Sequence, residues 1–366
     1  MDAAESAARA GKLEEYRTAF NSFKPKDPQG LLPENQGVQM VEEQFGKWRA
    51  GARDNSVALV GTPGSGSCIT LEALQRKFSR NVTCTTVALD RYSIAHDGLP
   101  GALGAELGCG RSAGMDDLLK SLSEQESQVI FLQACHNLFI RRVGGFSTLY
   151  DLHHLLSFTR GKVLWVTQWS PYTWHYLDRT IGFASYFDMV VRFGPLPLDT
   201  LIQWVKCKHE ATGFAVNFDG LAGEVLAEEG QWLPKEHQPF LEKAAVGNID
   251  AACSVWLQGA ELGEDNNIRM GFFPVFDGEP VEKLGEEDFY ILCSLLIHRE
   301  ISLEYLAEDM NLSELDSRMR LDHLANRGVV RYCRSTNSHS IEPAVLPAVV
   351  NALRKRNLID VKEPNG

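Results

Sequence analysis

Apolar residues along this chain fall into two alternating patterns. Short apolar runs rich in β-formers stand near 56–60, 82–89, 128–132, 162–167 and 187–193. Between them, at 67–79, 115–124, 144–159 and 173–183, apolar positions recur at helical spacing, as Ile69, Leu71, Leu74 and Phe78 do in the first. Strands buried on both faces read as continuous apolar runs, whereas half-exposed strands alternate with polar residues. Five such runs interleaved with helices therefore predict a parallel α/β sheet covered on both sides.

The flanks read differently. A short helix is expected around Leu13 to Phe20, then a Pro/Gly/Asn-rich connector from Lys24 to Gly37 and a helix from Val38 to Ala50. Pro195 and Pro197 mark a boundary, because proline neither continues a central strand nor lets the preceding residue stay helical. Asp199 to Gly213 begins a helical segment running to about Leu262, and Gly263 to Lys283 reads as a linker. Beyond it, helices are expected at Glu287–Leu296, Leu303–Asp309 and Ser313–Asn326. A hairpin of Val329–Tyr332 and Ser338–Glu342 follows, joined by Ser335-Thr-Asn-Ser. Three helices followed by a hairpin predict a winged helix. The expected domains are 1–48, an N-terminal helical segment; 49–195, the α/β domain; 196–262, a helical lid; 263–283, the linker; and 284–366, the winged helix and tail.

Composition narrows the field. A chain of 366 residues, 44% apolar, has enough material for two or three cores at about 150 residues each. Its net charge of −12 opposes indiscriminate binding to nucleic acid or anionic membrane. The cysteines at 68, 84, 109, 135, 207, 253, 293 and 333 form no C-x-x-C pair, so neither structural zinc nor any other metal is expected. Without a signal-like start or a bilayer-length apolar run, the expectation is a cytoplasmic protein with no membrane insertion.

The chemistry concentrates after the first strand. Gly61-Thr-Pro-Gly-Ser-Gly66-Ser67-Cys68 keeps the glycine spacing of the phosphate-binding P-loop, G-x-x-x-x-G-K-[ST], with Gly64 between. Ser67 stands where the pattern has lysine and Cys68 where it has the hydroxyl that holds Mg²⁺. The strand–loop–helix context marks this as a P-loop NTPase position, so the sheet is expected to be that of a P-loop NTPase.

The whole arrangement resembles the AAA+ and STAND class of P-loop ATPases with a helical lid and a C-terminal winged helix. More narrowly, it is similar to a group of bacterial ATP-binding proteins. In these a Walker B strand leads into a segment matching His136-Asn-Leu-Phe-Ile140-Arg141-Arg142-Val-Gly144-Gly145-Phe146. The resemblance implies carboxylates at the end of that strand, one toward Mg²⁺ and one polarising water. Here Val129-Ile-Phe-Leu132 is followed by Gln133 and Ala134, and neither side chain does that work. The resemblance also implies a basic Gly-Asn-Pro-Arg-like turn in the lid, where this chain reads Gly247-Asn248-Ile249-Asp250.

Losing one charge-assisted phosphate contact costs on the order of 1.5–3 kcal/mol, or roughly 10- to 150-fold in affinity. The lysine change alone therefore leaves room for weakly bound ATP or ADP. Hydrolysis depends on metal and preorganised charge together. The expectation is thus a catalytically degenerate AAA+/STAND-like protein, a pseudo-ATPase acting as a regulatory or scaffolding subunit. Its expected partner is a protein, such as an active ATPase or effector of the same system.

Two alternatives stand beside it. One is an active ATPase with a rebuilt site, its lysine replaced from elsewhere, with Arg53, Arg76 and Lys77 as candidates. The other is a winged-helix DNA-binding regulator contacting DNA or a partner through Arg318, Arg320, Arg331 and Arg334; the near-neutral third helix favours protein contact. Arg141 and Arg142 are candidate interface residues, either as a finger toward a neighbouring subunit or as locally paired cations. His136, His153 and His154 lack ligand spacing and read as structural, while Trp165, Trp169, Trp174 and Tyr176 read as core.

Overall fold

The structure, a computed structural model, describes residues 3–218, 232–263, 267–271, 273, 278–334 and 336–359. The elements in chain order begin with α1 (Ala3–Ser22), α2 (Gln36–Arg49), β1 (Ser56–Gly61), α3 (Ser67–Phe78), β2 (Thr83–Ala88) and α4 (Arg91–Glu106). They continue with α5 (Met115–Glu124), β3 (Gln128–Gln133), α6 (Ser147–Phe158), β4 (Val163–Trp169), α7 (Pro171–Ile181) and β5 (Met189–Phe193). Next come α8 (Leu198–Glu210), β6 (Val216–Asn217), α9 (Gln238–Ala245), α10 (Ile249–Gly259), β7 (Ala260–Leu262), β8 (Ile268–Met270) and α11 (Glu279–Glu282). The chain ends with α12 (Glu286–His298), β9 (Glu300–Ile301), α13 (Leu303–Met310), α14 (Glu314–Asn326), β10 (Val330–Cys333), β11 (Ser338–Ile341) and α15 (Leu346–Lys355).

Two compact units divide these elements. One takes the N-terminal helix up to Pro33, Pro195–Glu279 and Pro343–Val349; the other takes Glu34–Gly194, Pro280–Glu342 and the chain from Val350.

The second unit holds the expected parallel sheet, in the order β2-β3-β4-β1-β5. Alternate residues of four strands, Val57 and Leu59, Val129 and Phe131, Leu164 and Val166, Val191 and Phe193, face α2 and α3. Those helices answer with Val41, Phe45, Trp48, Leu71, Leu74 and Phe78, and the Phe45 and Phe78 rings stack at 3.9 Å. Trp165, Trp169 and Trp174 are at most 1% exposed, so they are core, as expected. Helix α4 matches no expected element: Gly98, Pro100, Gly101 and Gly104 obscure its helical pattern, and Gly98 kinks the helix at φ 66°. In the same unit α12, α13 and α14 lead into the hairpin β10–β11, and β11 also pairs with β9. This is the element order expected of a winged helix.

In the first unit, α8, α9 and α10 form the helical segment, joined by a small sheet in the order β6-β8-β7. Strand β8 lies inside the stretch expected to be a linker, which corrects that expectation. Asn, Gly and Pro signal the turns there, while three-residue strands are too short to show a period. Tyr16 is fully buried in this unit, accepting a hydrogen bond from Trp256 Nε1 at 2.7 Å and lying 3.1 Å from His209 Nδ1. Parts of the expected lid (219–231), linker (264–266, 272, 274–277), hairpin turn (Ser335) and tail (360–366) lie outside the described residues.

Candidate functional site

β1 ends at Gly61, and the loop after it turns into α3 through a Ser65 N–H bond to Thr62 O at 3.0 Å. Gly64 and Gly66 hold φ of 76° and 87°. Gly66 caps α3 in the left-handed region, where a Cβ would be crowded. The turn thus brings the N-terminus of a helix, with its unsatisfied N–H groups, to the end of the first strand.

Ser67 is buried and Cys68 partly so, and both meet a side chain from the end of β4. Gln168 Nε2 donates to Cys68 Sγ and, at 3.4 Å, to Ser67 Oγ. A neutral amide therefore covers the two positions where the P-loop pattern puts lysine and hydroxyl. Gln133 closes β3 beside Ala88 of β2, and Ala134 follows at φ 57°, unusual for a residue with a Cβ. A hard divalent cation at this strand end asks for anionic oxygens. Gln133 offers a neutral one, Ala134 none and Cys68 a soft thiol, so the donor set does not fit Mg²⁺.

Against the loop lies a small cleft, with room for about one water molecule, lined by Gly61, Pro63, His136, Gln168, Ser170 and Arg299. Arg299 ends α12 with φ 64° and ψ −51°, the sparsely populated γ-turn region, which costs on the order of 1–3 kcal/mol. His136 is 3% exposed, and its Nε2 has no hydrogen-bond partner among the described residues. Burial, then the charges of Arg299 and Arg91, hold its pKa well below the ordinary value, so the ring is neutral.

Behind the cleft a polar network joins the sheet to the C-terminal helices. Arg91 donates to Phe139 O at 2.9 Å, His136 O at 3.3 Å and Asn137 Oδ1 at 3.2 Å. It also lies 3.4 Å from His298 Nδ1. His298 Nε2 is 2.9 Å from Asp309 Oδ1, so the imidazole takes the tautomer that donates from Nε2 and accepts at Nδ1. Burial lowers the His298 pKa to about 4, Arg91 and Arg141 push the same way, and the bond to Asp309 opposes them without prevailing. This pair is thus a neutral imidazole on a carboxylate. Asp309 is fully enclosed and accepts from Ser294 Oγ at 2.6 Å and from Arg141 Nε and Nη2. Burial alone would raise its pKa, but the His298 and Arg141 hydrogen bonds hold it well below the usual carboxylate range.

No protein-family model and no curated protein matches the chain. Among solved structures, the ORC2 protein of Aeropyrum pernix in its ADPNP–ADP complexes is 15% identical, with a TM-score of 0.51. The match covers 93% of this chain and 98% of that one. The fold is shared with that protein: a P-loop NTPase-type parallel α/β sheet. The Aeropyrum pernix ORC1 protein in complex with DNA is 14% identical over 92% of this chain and 100% of its own, with a TM-score of 0.47. CDC6P of Pyrobaculum aerophilum is 18% identical over 93% and 98%, with a TM-score of 0.44.

On this frame the structure brings Gly61, Gly64, Gly66, Ser67 and Cys68 together in one loop and helix start. Arg141 and Arg142 sit within a tight turn that needs glycine at 145, where a Cβ would stand 2.1 Å from Ile140 O. The turn aims Arg141 at Asp309 and Arg142 at Glu308, the latter at 2.7 Å on the surface. Arg76 and Lys77 lie in the last turn of α3, at the end away from the loop, and Lys77 pairs with Glu42 at 2.6 Å. The cation lining the cleft is Arg299, which carried no local signal. Gln168 did carry one, as a polar residue at the C-terminal end of an apolar strand, where open α/β sheets place ligands.

On α14, Arg318 is exposed and Arg320 is paired with Glu287. On the hairpin Arg331 Nε bonds Ser340 Oγ at 3.3 Å, and Arg334 is exposed. No helix among the described residues is long and apolar enough to cross a membrane, and no cluster of three or more His, Cys, Asp or Glu there suits a metal.

Proposed function

We infer that this is an AAA+/STAND-like P-loop protein that has lost nucleotide turnover and works in the cytoplasm as a regulatory or scaffolding subunit. The end of β3 carries the reading: Gln133 and Ala134 stand where metal support and water activation require carboxylates. Gln168 over Ser67 and Cys68 adds to it, since a neutral amide repels neither phosphate nor solvent but contributes no charge. The retained glycine turn leaves ATP or ADP weakly held at most.

The winged-helix module would act as an adaptor for a protein partner, such as an active ATPase or effector of the same system. Leu315 and Met319 are 67% and 62% exposed on α14, an apolar surface that suits protein better than a phosphate backbone. Two of the arginines beside it, Arg320 and Arg331, are already engaged within the module.

The test is phosphate release by purified protein at saturating ATP and Mg²⁺. Release at background rate is expected; ordinary ATPase rates that vanish on substituting Gly66 overturn the reading. Steeply salt-dependent duplex binding lost in Arg331→Glu/Arg334→Glu would move the module's role to DNA.

A further inference from the structure

Helix α6 is apolar on two sides. Leu149, Leu152, Leu155 and Leu156 form its buried face. Tyr150, His153, His154, Ser157 and Phe158, at i, i+3, i+4, i+7 and i+8, line up as a second stripe. Tyr150 is 53% exposed and Phe158 71%, with His153 and His154 exposed between them. The rings are held in place: His154 stacks on Phe158 at 4.3 Å, and His153 lies 4.1 Å from the Tyr186 ring. A helix that is apolar all round is ordinarily covered all round. The charge pattern agrees, because from Val143 to Thr159 the only formal charge is Asp151, in a chain that is 23% charged.

Symmetry and neutrality say what covers the stripe. Tyr150 and Phe158 stand four residues either side of His154, so it reads ring, imidazole, ring in both directions. Two such stripes laid antiparallel about a two-fold axis at His154 bring each Phe158 onto Tyr150 of the second copy. A face built for an acidic or basic partner would carry the opposite charge, whereas a neutral one lets two chains of net charge −12 meet without setting like charges in contact. We propose that the outer face of α6 is a self-association surface, on which a second copy of this chain docks antiparallel. The inference is independent of whether nucleotide is bound or turned over. An aromatic side chain buries about 150–250 Å², so the exposed shares of Tyr150 and Phe158 offer roughly 200–300 Å² per copy, to which the imidazoles add. A standard stable interface takes about 800 Å² per partner, so this dimer is expected to be weak and reversible.

Sedimentation velocity of the full chain from low micromolar to submillimolar concentration tests this, in EDTA to prevent metal bridging of the histidines and in thiol reductant to prevent disulfides. A reversible monomer–dimer equilibrium is expected, with Kd on the order of 10–100 μM. Phe158→Glu and Tyr150→Lys are each expected to weaken it about 10-fold or more, while unfolding of the monomer changes little because both positions are exposed. The double variant Tyr150→Lys/Phe158→Glu sets opposite charges against each other twice in the antiparallel pair and is expected to recover association. In a parallel pair it would set like charges together. A chain that stays monomeric throughout overturns the proposal and leaves the face to a different protein. Association indifferent to Phe158→Glu, or a double variant that fails to recover, also overturns it.

Discussion

Arg141 grips Asp309 from two directions, its backbone N–H at 3.0 Å and its guanidinium Nε and Nη2 at 3.1 and 2.5 Å, across 168 residues of sequence. The carboxylate is fully enclosed and the arginine side chain 21% exposed, so this bond lies within the packed joint between the sheet and the C-terminal helices. A buried pair is worth little beside well-packed apolar residues, but removing one partner strands the other charge. Arg141→Ala is therefore expected to cost about 3–5 kcal/mol in urea unfolding, with Arg141→Lys intermediate because lysine lacks the fork. Arg142→Ala, which breaks the exposed pair with Glu308, is expected to cost under about 1 kcal/mol and serves as the internal comparison.

Acid should loosen the same joint. His298 titrates at about 4 in the fold, against roughly 6.5 when unfolded, so the unfolded chain binds the proton first. Its contribution is complete above about pH 6.5 and drains away as pH falls toward 4; that of Asp309, depressed below the usual carboxylate range, follows at lower pH. Unfolding free energies from urea titrations at pH 7.5 and 5.0 should differ by on the order of 1–2 kcal/mol from His298 alone. His298→Gln, which removes the titrating group, should shrink that difference.

Restoring the P-loop side chains separates binding from catalysis. Ser67→Lys/Cys68→Thr is expected to raise Mg²⁺-dependent ATP affinity by roughly 10- to 150-fold, the worth of one charge-assisted contact. Phosphate release should stay at background, because Gln133 and Ala134 are unchanged. Turnover in this double variant would show that the end of β3 is not what limits hydrolysis.

In the other unit, Tyr16→Phe removes the acceptor of Trp256 Nε1–H without altering ring volume. Trp256 is fully buried, so its N–H loses its bond at a cost of about 1–3 kcal/mol, readable as a lowered thermal midpoint.

Where the sequence was legible, burial wrote it there. The inner strands β1, β3 and β4 are buried along nearly their whole length and show as apolar runs, the half-exposed edge strands β2 and β5 show more weakly, and the P-loop turn shows because glycine readily takes its positive φ. What escaped lies below any period or acts at long range. Helix α4 hides behind its own Gly and Pro, and the three-stranded sheet has segments of two or three residues. Asp309 looks like its neighbours Glu304 and Glu308 until the fold encloses it. Arg299 joins the cleft from a helix end 233 positions beyond Gly66, a distance that no local pattern spans.

Each compact unit draws on three separated stretches of chain, so order of synthesis matters. At roughly 5–20 residues per second, the ribosome finishes the sheet on the order of ten seconds before the helix bearing Asp309 emerges. Through that interval Arg141 waits on the nascent chain with Asp309, its eventual partner, still unmade. A chain released early, before 280, would present this unfinished joint to chaperones and proteases. Dissecting the protein into its sequence-contiguous pieces would therefore yield unstable fragments.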